Sequence, residues 1–182
     1  MIDCSVSNQD GLAKTIFTVP LMDRDPVYMS FDLRPHMSDT WAAVIVDSTK
    51  FLDLWRNEHY SVHREFSMGN PDIWRHDKKY PDAEIGFQMG LENPVPLAYV
   101  SFKIAIQNSI NYKFLWFGKT ITSEMLPSVG FTNGITRTIW LLSNEAKSFP
   151  IKCELPGAEE LNKYAGVAGG KVLRISELLE NT

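Results

Sequence analysis

The pair Asn133-Gly134 constrains this chain more than any other feature. Residues 128–132 before it read as a short strand. After it, Ile135, Ile139, Leu142 and Ala146 fall at i, i+4, i+7 and i+11, which is one face of an α-helix. Asn-Gly is itself a turn dipeptide. The chain must therefore run as strand, tight turn and helix here. It then enters another strand over 149–154, where Pro150 comes early enough to be tolerated.

The remaining segments add strands and helices without a strict alternation. Residues 15–22 and 27–33 read as a hairpin around Asp23-Arg24-Asp25-Pro26. Residues 42–47 form a short Val/Ile-rich run, the mark of a buried strand, and Ser48 is placed to cap a helix over 49–59. In that helix Phe51, Leu54, Trp55 and His59 share a face. Residues 60–80 are the least regular part. Pro81 suits the first turn of a helix over 82–90, with Ile85, Met89 and Phe87 inward and Gly90 as its stop. Asn93-Pro94-Val95-Pro96 is held extended by its prolines and feeds a strand over 97–106. Asn108 and Asn111 bracket a turn, and 112–117 returns as a strand. Pro156 starts a helix over 157–165, a glycine-rich turn follows at 166–170, and 175–179 closes the chain with an apolar stretch. This irregular mixture predicts an α+β fold, with a small mixed sheet flanked by helices and an N-terminal hairpin extension. At 182 residues the chain is long enough for one domain spanning 1–182.

Composition removes several function classes. A net charge of -4 is the wrong sign for a protein that coats nucleic acid by counterion release, so contact with DNA has to be local. Cys4 and Cys153 are far apart and form neither a disulfide framework nor a zinc motif. His36, His59, His63 and His76 lack ligand spacing; the His59/His63 pair lacks the glutamate that follows the first histidine in a metalloprotease motif. The start of the chain carries no signal-peptide pattern, and no apolar run reaches 18 residues. A cytoplasmic protein without membrane insertion is expected. The five tryptophans read as core or partner-facing residues rather than base-stacking platforms.

The candidate site follows from the turn. A helix N-terminus leaves N–H groups unpaired and carries partial positive charge. Gly134 removes a Cβ that would hold an anion off, Thr136 adds a hydroxyl, and Arg137 offers a fixed charge opposite the apolar stripe. The alternative is a plain Asn-Gly turn followed by a solvated arginine. Asp77, Asp82 and Glu84 lie close in sequence to Lys78 and Lys79. Phosphate-ester hydrolysis needs a base or metal ligand and a cation, roles open to Glu84 and to Lys79 with Arg137. The alternative is a charged loop, with Asp82 and Glu84 favouring the helix dipole.

Phe131-Thr-Asn-Gly-Ile-Thr-Arg-Thr-Ile-Trp-Leu-Leu142, followed by Lys147-Ser-Phe-Pro-Ile-Lys-Cys153, resembles the signature turn of the ParB/sulfiredoxin superfamily. A second segment is Trp74, Asp77, Lys79, Ala83-Glu84, Gly86-Phe87, Gly90 and Asn93-Pro-Val-Pro-Leu-Ala98. Together with Gly134-Ile-Thr-Arg-Thr-Ile-Trp140 it resembles the plasmid fertility inhibition factors. The resemblance covers about residues 41–154. It implies a bacterial, plasmid-encoded inhibitor of DNA export through a type IV secretion system, with ATPase and DNase activity on this fold. Asn133, Gly134 and Thr136 would hold the phosphates of ATP, with Mg2+ as companion ion and Glu84 as its ligand. Arg137, Glu84 and Lys79 would be the catalytic set. The implied partners are DNA, touched without sequence preference, and a coupling protein or transfer ATPase. An inhibitor that only docks on such a partner is the alternative. Ile135 stands where sulfiredoxin has its cysteine, so repair of oxidised cysteine is excluded. Thr136 and Ile135 replace the second arginine and the acid of the ParB turn, which argues against CTP-dependent clamping.

Overall fold

Alternating apolar residues build most of the strands. The structure, a computed structural model, describes residues 2–9, 12–34, 40–58, 63–112 and 119–180; within these, side chains are described except at 8, 9, 107–112 and 119–122. The described residues form two sheets. The first has the order β1(Asp3–Gln9)–β2(Leu12–Val19)–β3(Val27–Asp32)–β5(Val95–Pro96). The expected hairpin is therefore β2/β3, enlarged by a preceding strand and by the short parallel strand β5.

The second sheet has the order β7(Lys119–Asn133)–β6(Ala98–Tyr112)–β8(Ser148–Glu154)–β4(Trp41–Asp47)–β9(Val172–Arg174). It is mixed: β6 runs parallel to β8, and the other neighbours are antiparallel. The predicted turn at Asn108 and Asn111 is not there. Strand β6 continues through both asparagines, paired with β7 out to Tyr112 opposite Lys119. Cross-strand pairing overrides the local turn preference of asparagine. The run 128–132 is accordingly the end of a 15-residue strand. The proposed return strand at 112–117 lies almost wholly outside the described residues.

Helix α1 (Ser48–Arg56) buries Phe51, Leu54 and Trp55 as its periodicity predicts, whereas His59 lies outside the described residues. Its cap is Asp47 rather than Ser48: the carboxylate accepts from the N–H groups of Thr49 and Lys50 at 3.0 Å. Ser48 instead donates to the Ala146 carbonyl. Phe51 and Trp55 meet Phe131 edge-on, with centroids 5.9 and 4.8 Å apart, and so fix the strand just before the Asn-Gly turn.

The irregular stretch contains two single-turn helices, α2 (Arg64–Ser67) and α3 (Pro71–Trp74). Helix α4 (Tyr80–Gln88) follows, with Pro81 in its first turn and Gly90 just past its end at φ +62°. Of its three expected core residues only Phe87 is buried; Ile85 and Met89 are 60% and 50% exposed. Phe87 stacks on Trp140 at 4.2 Å, and that docking turns positions two residues away, about 200° round the helix, to the outside. Helix α5 (Ile135–Ser143) buries Thr138, Ile139, Trp140, Leu141 and Ser143, a wider face than the predicted stripe. Helices α6 (Leu155–Ala165) and α7 (Ile175–Glu180) complete the order. Trp55, Trp74 and Trp140 are core residues, while Trp41 stands edge-on to Tyr99 under the Lys152 ammonium. Cys153 is buried, which pushes its thiol up to about 11, and Cys4 is exposed. No helix among the described residues is long and apolar enough to cross a membrane.

Candidate functional site

Strand β7 ends at Asn133, and Gly134 turns the chain with φ +96° and ψ 20° before α5 begins. That left-handed geometry favours glycine. Packing demands it as well: a Cβ at 134 would lie 2.6 Å from the Ala98 Cβ and 2.8 Å from its Cα. The space freed by Gly134 is thus filled by β6, not kept open for an anion as the sequence suggested. Thr138 Oγ1 donates back to the Gly134 carbonyl at 3.1 Å, but among the described residues no side chain caps the first N–H groups of α5.

The residues that carry those groups line a cleft of about 1060 Å³. The stretch from Phe131 to Arg137 forms one wall, and Asp77, Lys78, Lys79 and Asp82 stand on another. Asn133, Gly134, Thr136, Arg137 and Lys79, all named from the sequence, are therefore brought to one place. Thr136 Oγ1 lies 3.4 Å from Asp77 Oδ2 and links the two walls.

Arg137 is not the solvated charge that its position opposite the helix stripe allowed. It is half-buried, and its Nη1 donates to the carbonyls of Pro96 at 2.5 Å and Leu97 at 3.2 Å. Burial pushes the guanidinium below its ordinary value, but an arginine remains charged. Among the described residues it has no carboxylate partner, and Nε and Nη2 make no hydrogen bond. A partly desolvated cation without a counter-charge is costly, and an anion in the cleft would relieve it.

Glu84 is not in this cleft. Arg24 grips its carboxylate at 2.7 and 3.4 Å, the Trp140 indole donates to it at 2.5 Å, and Gln88 adds a contact at 3.3 Å. The Arg24 hydrogen bond, opposed by partial burial and helped by Trp140, holds the Glu84 carboxyl below the usual glutamate range. A carboxylate so placed is a poor base and has no open coordination toward the turn. The structure thus places Glu84, expected from the sequence as base or metal ligand, away from the turn and against Arg24 and Trp140. The cause is helical geometry: Asp82 and Glu84 are two residues apart, so they point to opposite sides of α4. No three His, Cys, Asp or Glu side chains among the described residues come together as a metal cage. His36 and His59 lie outside the described residues.

The sequence offers Asp77 as one acid of a charged loop and of the resembling segment, without a role; its approach to Thr136 is a contact across 59 positions that no local pattern announces. Arg24 was missed altogether for the same reason, as it meets Glu84 across 60 positions.

Comparison with known proteins gives a consistent picture. A family model described as Plasmid Fertility inhibition factor matches residues 43–166. Protein osa of Shigella flexneri is 31% identical over 105 residues, which cover 57% of this chain and 45% of that protein. This chain thus aligns with less than half the length of that relative. Among solved structures, the crystal structure of the Oncogenic Suppression Activity Protein, a plasmid fertility inhibition factor solved as a gold(I) cyanide derivative, superposes with a TM-score of 0.71 at 21% identity. The superposition covers 100% of this chain and 82% of that one, a likeness of fold.

Proposed function

Since the chain belongs to the plasmid fertility inhibition factor family, we propose that it restrains DNA transfer through a type IV secretion system and that its Gly134 cleft binds and hydrolyses phosphate esters. The substrates are a nucleoside triphosphate, ATP in the first instance, and the phosphodiester backbone of DNA. One observation carries this reading: Arg137, half-buried and without a carboxylate partner among the described residues, stands beside an uncapped helix N-terminus in an open cleft. The superfamily resemblance of the same turn supports it.

The carbonyls of Pro96 and Leu97 fix Arg137, so that Nε and Nη2 can hold phosphate oxygens without first being ordered. Thr136 and the first N–H groups of α5 add donors, and Lys79 adds a charge from the facing wall. Asp77 replaces Glu84 as the acid of the site. It takes a proton from the attacking water as the phosphorus–oxygen bond to the leaving group breaks. Mg2+ is usually held by one or two carboxylates together with substrate phosphates, and Asp77 and Asp82 fit that role. Contact with DNA stays local because the chain as a whole is acidic.

The test is phosphate release from ATP with magnesium, and nicking of supercoiled DNA, by wild type and Arg137→Ala. Both activities should fall together in a variant that melts near the wild-type temperature. Equal activity in the two proteins would remove the assignment.

A second reading rests on a different observation. Beyond its base the β6/β7 ribbon carries Ile106 opposite Met125, each 68% exposed. An apolar patch of this kind suits docking on a coupling protein or transfer ATPase, with inhibition needing no chemistry. Inhibition of transfer that survives Arg137→Ala would favour it.

A further inference from the structure

The region before residue 43 lies outside the segment matched by the family model, yet one of its side chains reaches the helices that frame the cleft. Arg24 sits in the turn between β2 and β3. Its Nη2 donates to Glu84 Oε1 at 2.7 Å on α4, and its Nη1 donates to Asn144 Oδ1 at 2.7 Å at the end of α5. The guanidinium carbon lies 5.6 Å over the Trp140 ring. Trp140 in turn donates to Glu84 and stacks on Phe87, while Asn144 Nδ2 meets the Tyr80 hydroxyl at 3.3 Å. One cation thus ties together two helices that, with the turn leading into α4, give the cleft Asp77 to Asp82 on one part and Ile135 to Arg137 on the other.

We infer that Arg24 is a positioning residue, which through Glu84 and Asn144 sets the separation of the two phosphate-holding walls. The inference rests on the functional reading above for its consequence, though not for its geometry. Lys79 and Asp77 stand in the turn that leads into α4, and Thr136 and Arg137 at the start of α5. A small shift between these helices moves every donor on one wall relative to the other. Displacements of about 1 Å can cost on the order of a hundredfold in rate when groups must act together. The N-terminal sheet, in this view, braces the site from outside.

Arg24→Ala, Arg24→Lys and Glu84→Gln should be compared with wild type in two ways. Amide hydrogen exchange reads the brace directly: Arg24→Ala should speed exchange in residues 80–88 and 135–138 and leave the β4/β8 strands protected. Arg24→Lys should restore part of that protection. Titration with Mg·ATP and steady-state phosphate release read the consequence. Arg24→Ala should raise KM and lower kcat by about tenfold each, the double variant with Glu84→Gln being no worse, because both act through one knot. A purely structural role would lower the melting temperature while leaving KM and kcat unchanged well below it, and that result would overturn the inference. Unaltered exchange in Arg24→Ala would overturn it too, whatever the chemistry. If wild type neither binds nor hydrolyses ATP, the functional reading fails by itself, and the exchange pattern still decides whether Arg24 holds the walls.

Discussion

The two sides of helix α4 carry acids of the same kind in opposite circumstances. On one side Glu84 accepts from Arg24, Trp140 and Gln88, and its bonding capacity is taken up within the fold. On the other, Asp77 and Asp82 face an open cleft beside Lys79, and across it Arg137 has donors without partners among the described residues. A charge whose partners are supplied by the protein stabilises a helix crossing. A charge whose partners are missing is available to a ligand. The difference separates a brace from a site across helix α4 and the three residues that lead into it.

Substitutions can break this contrast in graded steps. Trp140→Ala removes the stack on Phe87 and the donor to Glu84 at a residue only 2% exposed, and should cost about 3–5 kcal/mol in denaturant melts. Gly134→Ala comes next. It forces a left-handed φ on alanine and drives a Cβ into Ala98, for roughly 2–4 kcal/mol. Asp77→Asn keeps the shape and the acceptor, so stability should stay within about 0.5 kcal/mol of wild type. Phosphate release should nevertheless fall about a hundredfold if Asp77 is the general base proposed above. A melting defect without a kinetic one in Asp77→Asn would erase the contrast between the two sides.

The smallest expected effect is one of pH. The folded Glu84 carboxyl is held below its unfolded value, so its contribution is fully present above the unfolded pKa. It is lost as pH falls below about 4.3 and on through the lower folded value. Wild type should therefore lose melting temperature more steeply than Glu84→Gln between about pH 5 and pH 3. Parallel slopes would mean that the Arg24–Glu84 pair, with side chains 46% and 26% exposed, contributes nothing measurable.

Much of the fold is legible in the sequence where periodicity and punctuation agree. Strands β4 and β8, helices α1 and α5 and the Asn133-Gly134 turn carry such signals. The long ribbon is hidden because Asn108 and Asn111 look like turn residues and only their cross-strand partners show otherwise. Strand β1 is polar and β9 only three residues long, too little for an alternation to register. At the site the turn and Arg137 are legible, since a glycine turn before a helix has local chemistry. The role of Glu84 is not. Its direction depends on how α4 is rotated, which Phe87 fixes against Trp140, and its partner Arg24 is 60 positions away.

The most direct measurement is phosphate release from ATP in the presence of magnesium, made on wild type and on Arg137→Ala after both are shown to melt as folded proteins. Release by wild type that falls at least about a hundredfold in Arg137→Ala is the predicted result. Equal release by both, or none by either, would contradict a phosphate site at the glycine turn.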